Sequence, residues 1–185
     1  IFAEDFRWLG VVPESIKSSG KADLWRVRYL KSLPAGERDN PPQDLDFDLM
    51  FYDGKFTQVF LPERYFVFVP KAFFVGLIRG LGSASVDQAK RAADVNFSTA
   101  ERERLVKRVT LTSLTQLLGK PTELLTDATR TTYRYHYRTS PGGPKAGLID
   151  MEFVFSSTTG QLQRLHGKSP VGHLSFNFEP PPAKP

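Results

Sequence analysis

Two stretches of similar pattern, Trp25-Arg26-Val27-Arg28-Tyr29 and Tyr133-Arg134-Tyr135-His136-Tyr137, decide the fold of this chain. In both, aromatic or aliphatic residues alternate with charged or polar ones. Such alternation is typical of a β-strand with one face in the core and the other in water. Each stretch is therefore predicted to be a half-buried strand, and their likeness indicates that the chain contains one unit twice.

The sequence on both sides of these stretches extends the self-similarity. Further blocks occur in the same order in both halves, namely Leu9–Glu14 with Leu118–Glu123, Asp46–Phe51 with Asp150–Phe155, Gly54–Val59 with Gly160–Leu165, and Tyr65–Pro70 with Leu174–Pro180. A fixed order of similar blocks, with length changes only in the turns, indicates a tandem repeat. We predict an α+β fold of two tandem repeats, each a short helical element packed on an antiparallel sheet of about four strands.

Turn and helix-end residues support this arrangement. Asp53-Gly54 predicts a tight hairpin between the second and third strands of the first repeat, because such a turn needs positive φ. Val109–Leu118 has helical spacing and ends in a glycine stop signal, and the capping box Ser98–Glu101 opens a helix that runs into Val109. Phe2–Leu9 is predicted to be the corresponding helix of the first repeat.

The pattern divides the chain into four segments. Residues 1–69 are predicted to be the first repeat, 70–108 a helical connector, 109–180 the second repeat, and the proline-rich residues 181–185 a flexible tail. Within the connector, Val86–Val95 is predicted to be a short amphipathic segment of this all-helical stretch.

The first helix of the connector is apolar nearly all round, through Phe73, Phe74, Leu77 and Ile78. One interpretation is a core helix buried between the two repeats. The alternative is an exposed apolar surface for a partner or a lipid interface, because no strongly polar face is visible. The sequence leaves both interpretations open.

The composition excludes several classes of function. The chain has 185 residues, of which 40% are hydrophobic and 24% charged, enough to form a core. It has no cysteine, which excludes disulfide scaffolds, thiol catalysis and sulfur-ligated zinc sites, and its three scattered histidines do not form a metal motif. The net charge is +5, but the signs are interleaved. Neither nucleic acid nor a cofactor is therefore predicted as a partner.

The charged positions of the predicted strands are the main polar feature. If the first two strands of each repeat are neighbours, basic residues lie opposite acidic ones, Arg26 and Arg28 facing Asp46 and Asp48, and Arg134 and His136 facing Asp150 and Glu152. The plainest interpretation is cross-strand charge pairing on a wet face. A functional interpretation is a surface that docks onto another protein. A hydrolase using these carboxylates is a third hypothesis, which basic partners disfavour because they lower the pKa that a general acid needs raised.

The segment from Leu111 onward resembles a known family of envelope proteins. A threonine-rich helix ending in Leu-Leu-Gly-Lys-Pro, then strands with Tyr-x-Tyr and Phe-x-Phe before a glycine turn, is similar to the SmpA/OmlA (BamE-type) lipoproteins. The matching positions are Leu117, Leu118, Gly119, Lys120, Pro121, Tyr133, Tyr135, Phe153, Phe155 and Gly160. The same unit doubled in one chain is similar to the secreted beta-lactamase inhibitory proteins.

This resemblance implies a non-catalytic protein of the bacterial cell envelope, periplasmic or associated with the outer membrane, that binds another protein. The alternative is an inhibitor or immunity protein that blocks a secreted or periplasmic enzyme. The chain lacks the N-terminal cysteine of the lipoproteins and the cysteine pairs of the inhibitory proteins. Because it opens at Ile1 in patterned sequence, a trimmed N-terminal anchor would account for the first difference and would give membrane association.

The predicted contact surface is rich in the side chains that protein-binding surfaces favour. The candidate contact residues are Trp25, Arg26, Arg28, Tyr133, Arg134, Tyr135 and His136. Because side chains alternate along a strand, only half of these residues can lie on the exposed side of the sheet. No catalytic residue and no metal ligand is predicted.

Overall fold

The computed structural model describes residues 2–8, 11–37, 39, 43–81, 83–107, 109–139, 148–169 and 172–179. Within these residues the helices are α1 (Ala3–Trp8), α2 (Arg64–Phe68), α3 (Lys71–Leu81), α4 (Thr99–Val106) and α5 (Leu111–Leu118). The strands are β1 (Ser15–Ser19), β2 (Ala22–Ser32), β3 (Leu45–Tyr52), β4 (Lys55–Phe60), β5 (Ser85–Asp87), β6 (Ala92–Asn96), β7 (Glu123–Thr126), β8 (Arg130–Thr139), β9 (Leu148–Ser156), β10 (Leu162–Ser169) and β11 (Gly172–Asn177). The predicted tail, residues 181–185, lies outside the described residues.

All of these strands belong to one 11-stranded sheet. The order is β4-β3-β2-β8-β9-β10-β11-β6-β5, with β1 beside the first half of β2 and β7 beside the first half of β8. Every pairing is antiparallel except that of β11 with β6. The α+β class and the short helices are therefore confirmed, but a single sheet takes the place of two separate ones.

Strands β2 and β8 join the two halves of the sheet at its centre. Four residue pairs form this joint, from Tyr29 opposite Thr139 to Ser32 opposite His136. The alternation of buried and exposed side chains continues across it, since Tyr29, Tyr137 and Thr139 are all buried. One apolar face and one polar face consequently run across the central strands without interruption.

The core lies between the apolar face of the sheet and the helices. The strands contribute large buried side chains, among them Trp25, Val27, Phe51, Tyr135, Phe153 and Leu162, and the helices add Phe73, Leu105, Val106, Leu114 and Leu118. The rings of Trp25 and Phe51 lie 4.6 Å apart between centroids. Since these side chains all leave the sheet on one side, their strand neighbours in sequence project from the other.

Helix α3 packs closely on its neighbours because two glycines face them. A Cβ atom at Gly76 would lie 2.3 Å from Cδ2 of Leu105, and one at Gly80 would lie 2.6 Å from Cγ1 of Val95. Leu105 and Val95 are themselves buried and have little room to move. The close approach of α3 to α4 and β6 therefore requires glycine at both positions.

The core interpretation of α3 is confirmed for the side chains that the structure describes. Phe73 is buried, and Phe74 and Leu77 are partly buried and pack against the core cluster. The side chain of Ile78 lies outside the described residues. At Phe73, Phe74 and Leu77 the apolar pattern of this helix therefore reflects packing in the core. The alternative interpretation, an exposed apolar surface, does not hold at these positions.

The prediction of an all-helical connector is wrong in its middle. Where Val86–Val95 was expected to be helical, β5 and β6 form a hairpin with Arg91 at a φ of 51° in its turn. Val95 points into the core, and β6 pairs in parallel with β11. Pairing with a strand that is distant in the sequence outweighs the helical spacing of so short a segment.

The expected helix ends and turns are largely observed. Ser98 and Glu101 form the predicted capping box of α4, but α4 ends at Val106 and a second capping box at Thr110 opens α5, so two helices replace the continuous one. The α5 helix ends at Leu118 and is capped by Gly119, which has a φ of 70°. The hairpin at Asp53-Gly54 is confirmed, with φ values of 51° and 72°.

A buried lysine connects the central joint to helix α5. The side chain of Lys31 is 3% exposed, and its Nζ lies 2.5 Å from a carboxylate oxygen of Asp39. It also donates a hydrogen bond of 2.6 Å to the carbonyl of Leu118, the last residue of α5. The carbonyl end of a helix carries partial negative charge and favours a cation. Burial lowers the pKa of Lys31, and the ion pair with Asp39 opposes that shift.

Replacing Lys31 with methionine is expected to lower the free energy of unfolding by about 3–5 kcal/mol, because it leaves the carboxylate of Asp39 without its buried cation. Urea denaturation at pH 7 measures the change. Lys21→Met is the matched control, since the side chains of Lys21 and of its ion-pair partner Asp53 are 64% and 69% exposed. This variant should lose less than about 1 kcal/mol of its free energy of unfolding. Similar losses in the two variants would contradict a special role for Lys31.

Candidate functional site

The polar face of the central strands is the candidate functional site, and we call it the open face. It is defined by the side chains that alternate with the core residues of six strands, namely Arg26, Arg28, Asp46, Asp48, Arg134, His136, Asp150, Glu152, His166 and His173. The backbone register fixes which of these side chains are neighbours. The ion pairs that follow are therefore consequences of strand pairing.

Arg26 and Arg28 of β2 are paired with acidic residues on or beside β3. Nη2 of Arg26 donates to Asp48 at 3.0 Å, and Nη1 lies 3.8 Å from Asp46. Nη2 of Arg28 lies 2.8 Å from Asp44. The hydrogen bond with Asp48 raises the pKa of Arg26, against the effect of desolvation. The register places Arg26 opposite Asp48 and Arg28 opposite Asp46, which confirms the predicted facing of the two strands.

The corresponding positions of β8 and β9 form a similar group. Nε of Arg134 donates to Glu152 at 2.7 Å, and its Nη1 lies 3.2 Å from Glu123 of β7. Nδ1 of His136 lies 2.7 Å from Asp150, and Nε2 lies 3.6 Å from Glu123. The hydrogen bond with Glu123 is the main reason that the pKa of Arg134 is raised. Arg134 opposite Glu152 and His136 opposite Asp150 confirm the second predicted facing.

All three histidines of the sequence lie on the open face. His166 lies opposite Glu152, and its ring centroid is 5.6 Å from that of His173. Burial is the main cause that lowers the pKa of His166, with smaller contributions in the same direction from Arg164 and His173, while nearby carboxylates raise it. The open face therefore contains a histidine that resists protonation in the folded chain.

Three further cations lie on the same side of the sheet as the open face and form no ion pair with the described residues. Arg138, Arg164 and Lys168 lie in register opposite Leu148, Val154 and Asp150 on the same face. Among the ion pairs that the described part of the chain forms, these three side chains take no part. They leave positive charge available on the half of the open face formed by β8 and β10.

The predicted contact residues are divided between the two faces of the sheet. The structure brings together on the open face Arg26, Arg28, Arg134 and His136. Trp25 and Tyr135 are 1% and 0% exposed, and Tyr133 packs against the core cluster. The contact prediction is therefore wrong for Trp25 and Tyr135, because alternation along the strand directs these rings into the core.

The grouping of His166 and His173 was not predicted from the sequence. A signal was available, because each histidine is an odd number of residues away from a core-facing residue of its own strand, Leu165 and Phe176 respectively. That spacing places both rings on the open face. Their closeness depends on the register of β10 with β11, which pairs Lys168 with His173 and His166 with Ser175.

The acidic residues of the open face serve as ion-pair partners in the structure. Asp46 and Asp48 contact arginine, and Asp150 and Glu152 contact His136 and Arg134. Over the described ranges of the chain, no cluster of three or more possible ligands is placed to hold a metal ion. This arrangement is suited to recognising charged groups of a partner.

Comparisons with family models, with curated proteins and with solved structures found no match to this chain. None of the helices in the described ranges has the length and apolar character needed to cross a bilayer. The resemblance to envelope lipoproteins therefore stays a prediction. The function has to be argued from the geometry of the open face.

The lowered pKa of His166 predicts a loss of stability in mild acid. Above about pH 6.5 the histidine is neutral in both states, whereas below it the unfolded chain binds a proton that the folded protein resists. The His166→Gln variant lacks this histidine. Its free energy of unfolding should therefore decline less steeply between pH 7 and pH 5 than that of the wild type. Urea midpoints of both proteins at several pH values measure the difference. Parallel declines would contradict the prediction.

Proposed function

We propose that this chain is a non-catalytic protein of the bacterial cell envelope that binds another protein through its open face. The observation that carries the proposal is the grouping of arginine and histidine side chains on a continuous polar surface, while the neighbouring aromatic residues pack on the helices. Arginine is enriched in protein-binding surfaces, and its planar guanidinium recognises carboxylates with two hydrogen bonds. Because acidic side chains alternate with the basic ones on this face, a partner that carries both acidic and basic groups is the best match to this surface.

We also propose that the chain is built from two tandem repeats, with β1–β4 in the first and β7–β10 in the second. In each group the four strands pair in chain order, and a helix precedes the first strand. Arg26 opposite Asp48 and Arg134 opposite Glu152 occupy equivalent places. Two equivalent places on either side of the central joint would offer a partner two similar contact sites.

The ion pairs of the open face are better suited to orienting a partner than to stabilising the fold. The side chains of Arg26 and Arg134 are 49% and 36% exposed, so water screens their ion pairs. Such pairs contribute about 0–1 kcal/mol to stability. The same charges fix the orientation of a bound partner, because a misplaced partner would face like charge. Removing them should therefore affect binding much more than folding.

A second candidate function is an inhibitor or immunity protein that blocks a secreted or periplasmic enzyme. Arg138, Arg164 and Lys168 favour it, because these cations form no ion pair with the described residues and match an acidic enzyme surface. Both candidate functions use the open face. They differ in whether the partner is a component of the envelope or an enzyme.

Arg26→Ala/Arg134→Ala is expected to weaken partner binding by roughly 10-fold or more, since arginine is enriched among the hot-spot residues whose truncation costs about 2 kcal/mol or more. The full chain and the variant are compared by affinity capture from a detergent-solubilised envelope extract, with the captured protein then titrated against both. Lys21→Ala/Lys90→Ala removes the same charge from exposed turns and is the control.

The identity of the captured protein separates the two candidate functions. An outer-membrane component retained by the wild type and the control supports the envelope proposal, whereas a soluble enzyme that loses activity on binding supports the inhibitor. Equal binding by both double variants would contradict a role for the open face. Urea denaturation of each variant checks that the fold is intact.

A further inference from the structure

The two halves of the open face differ in the side chain that stands beside the first arginine of each half. On β8, Arg134 lies opposite Glu123 of β7, and Nη1 of Arg134 is 3.2 Å from a carboxylate oxygen of Glu123. On β2, Arg26 lies opposite Ser15 of β1. The strand register therefore supplies a carboxylate to Arg134 and only a short hydroxyl side chain to Arg26.

A small cleft lies beside Arg26 on the open face. Its volume is about 170 Å³, and it is lined by Ser15, Lys17, Leu24, Arg26 and Asp48. Sites for small organic ligands usually have about 300–1,000 Å³. A cleft of this size is better suited to a single side chain of a partner protein than to a whole organic ligand.

The guanidinium of Arg26 keeps donors available to an incoming group. Its Nε and Nη2 atoms both contact Asp48. A guanidinium has five N–H donors, and Nη1 of Arg26 lies 3.8 Å from Asp46, which is beyond hydrogen-bond distance. Because the side chain is 49% exposed and lines the cleft, the donors on Nη1 can reach a carboxylate brought by a partner.

The charge of the cleft favours an acidic group. Lys17 is exposed and forms no ion pair with the described residues. Glu14 precedes β1, but it lies 3.9 Å from Nη1 of Arg28 and is not among the residues that line the cleft. Two cations, Lys17 and Arg26, thus line the cleft against the single carboxylate of Asp48. One further carboxylate would balance the charge.

Apolar side chains lie next to the cleft on the same face. Leu24 lies opposite Met50, and Tyr52, two residues further along β3, is 58% exposed. Phe60 lies opposite Asp48 and is 41% exposed. Exposed apolar side chains that adjoin one another mark interaction sites, and tyrosine, phenylalanine and methionine are enriched in protein interfaces.

We propose that the cleft receives an acidic side chain of the partner, and that an apolar residue of the same partner segment packs on Leu24 and Tyr52. The carboxylate takes the place beside Arg26 that Glu123 occupies beside Arg134. This inference rests on the proposed function, because Arg26 belongs to the open face. It adds the chemistry of the partner segment, which is a carboxylate next to an apolar side chain.

The first test is a titration of the full chain with the peptide acetyl-Leu-Glu-Phe-amide and with acetyl-Leu-Gln-Phe-amide, followed by ¹⁵N–¹H NMR. The glutamate peptide should bind at least about 5-fold more tightly, because its carboxylate forms charge-assisted hydrogen bonds. The largest shifts are expected at the amides of Ser15, Lys17 and Leu24. Equal affinities, or no binding of either peptide, would overturn the inference.

A pair of variants separates the cleft from the overall charge. Ser15→Glu supplies a carboxylate from the chain itself and should weaken binding of the glutamate peptide by at least about 5-fold. Ser19→Glu is the matched control, because it makes the same change on the same strand and face but outside the cleft. A similar loss in both variants would contradict a role for the cleft. If Ser15→Glu does not fold, the comparison of the two peptides on the wild type remains decisive.

The same variants, titrated with the protein captured from the envelope extract, distinguish this inference from the proposed function. Ser15→Glu should weaken that complex by about 10-fold, and Ser19→Glu should leave it unchanged. If Arg26→Ala/Arg134→Ala weakens the complex and Ser15→Glu does not, the inference is wrong and the proposed function stands. If all of these variants bind like the wild type, both are wrong.

Discussion

The pairing of β2 with β8 is the constraint on which the rest of the structure depends. It joins strands from the two halves of the chain in one register, and a shift by one residue would exchange the core and polar faces of one half relative to the other. Lys31 lies in this joint, where its ammonium group contacts Asp39 and the last carbonyl of α5. An ion pair with so little exposure to water tolerates few alternative arrangements, so it favours a single register.

The polar surface inherits its geometry from that register. Four basic residues of β2 and β8 each lie opposite an acidic residue one strand away, namely Arg26, Arg28, Arg134 and His136. Their side chains stand on the same side of the sheet as His166 and His173. The backbone register and the ion-pair partners fix these charged side chains in position, while the side chains stay exposed to solvent. A surface of this kind separates two tasks, because hydrophobic burial on one side stabilises the fold while the opposite side is free to recognise a partner.

Local patterns predicted the parts of the structure that are local. The alternation in Trp25–Tyr29 and Tyr133–Tyr137 was sufficient to predict both central strands, and Asp53-Gly54 was sufficient to predict its hairpin. Both predictions succeeded because strand and turn preferences act over a few residues. The β5–β6 hairpin was missed because its main partner, β11, is distant in the sequence. The tight fits at Gly76 and Gly80 depend on tertiary distances that no short pattern records.

The parallel pairing of β6 with β11 has a consequence for the order in which the fold is completed. Strand β11 lies between β10 and β6, so the last described strand of the chain closes the gap between the second half of the sheet and the earlier hairpin. During synthesis on a ribosome, β6 is made well before β11, and one edge of β6 stays unpaired until β11 has been added. A nascent chain that stops before Gly172 would expose two unprotected strand edges at once, the arrangement that invites association with other chains.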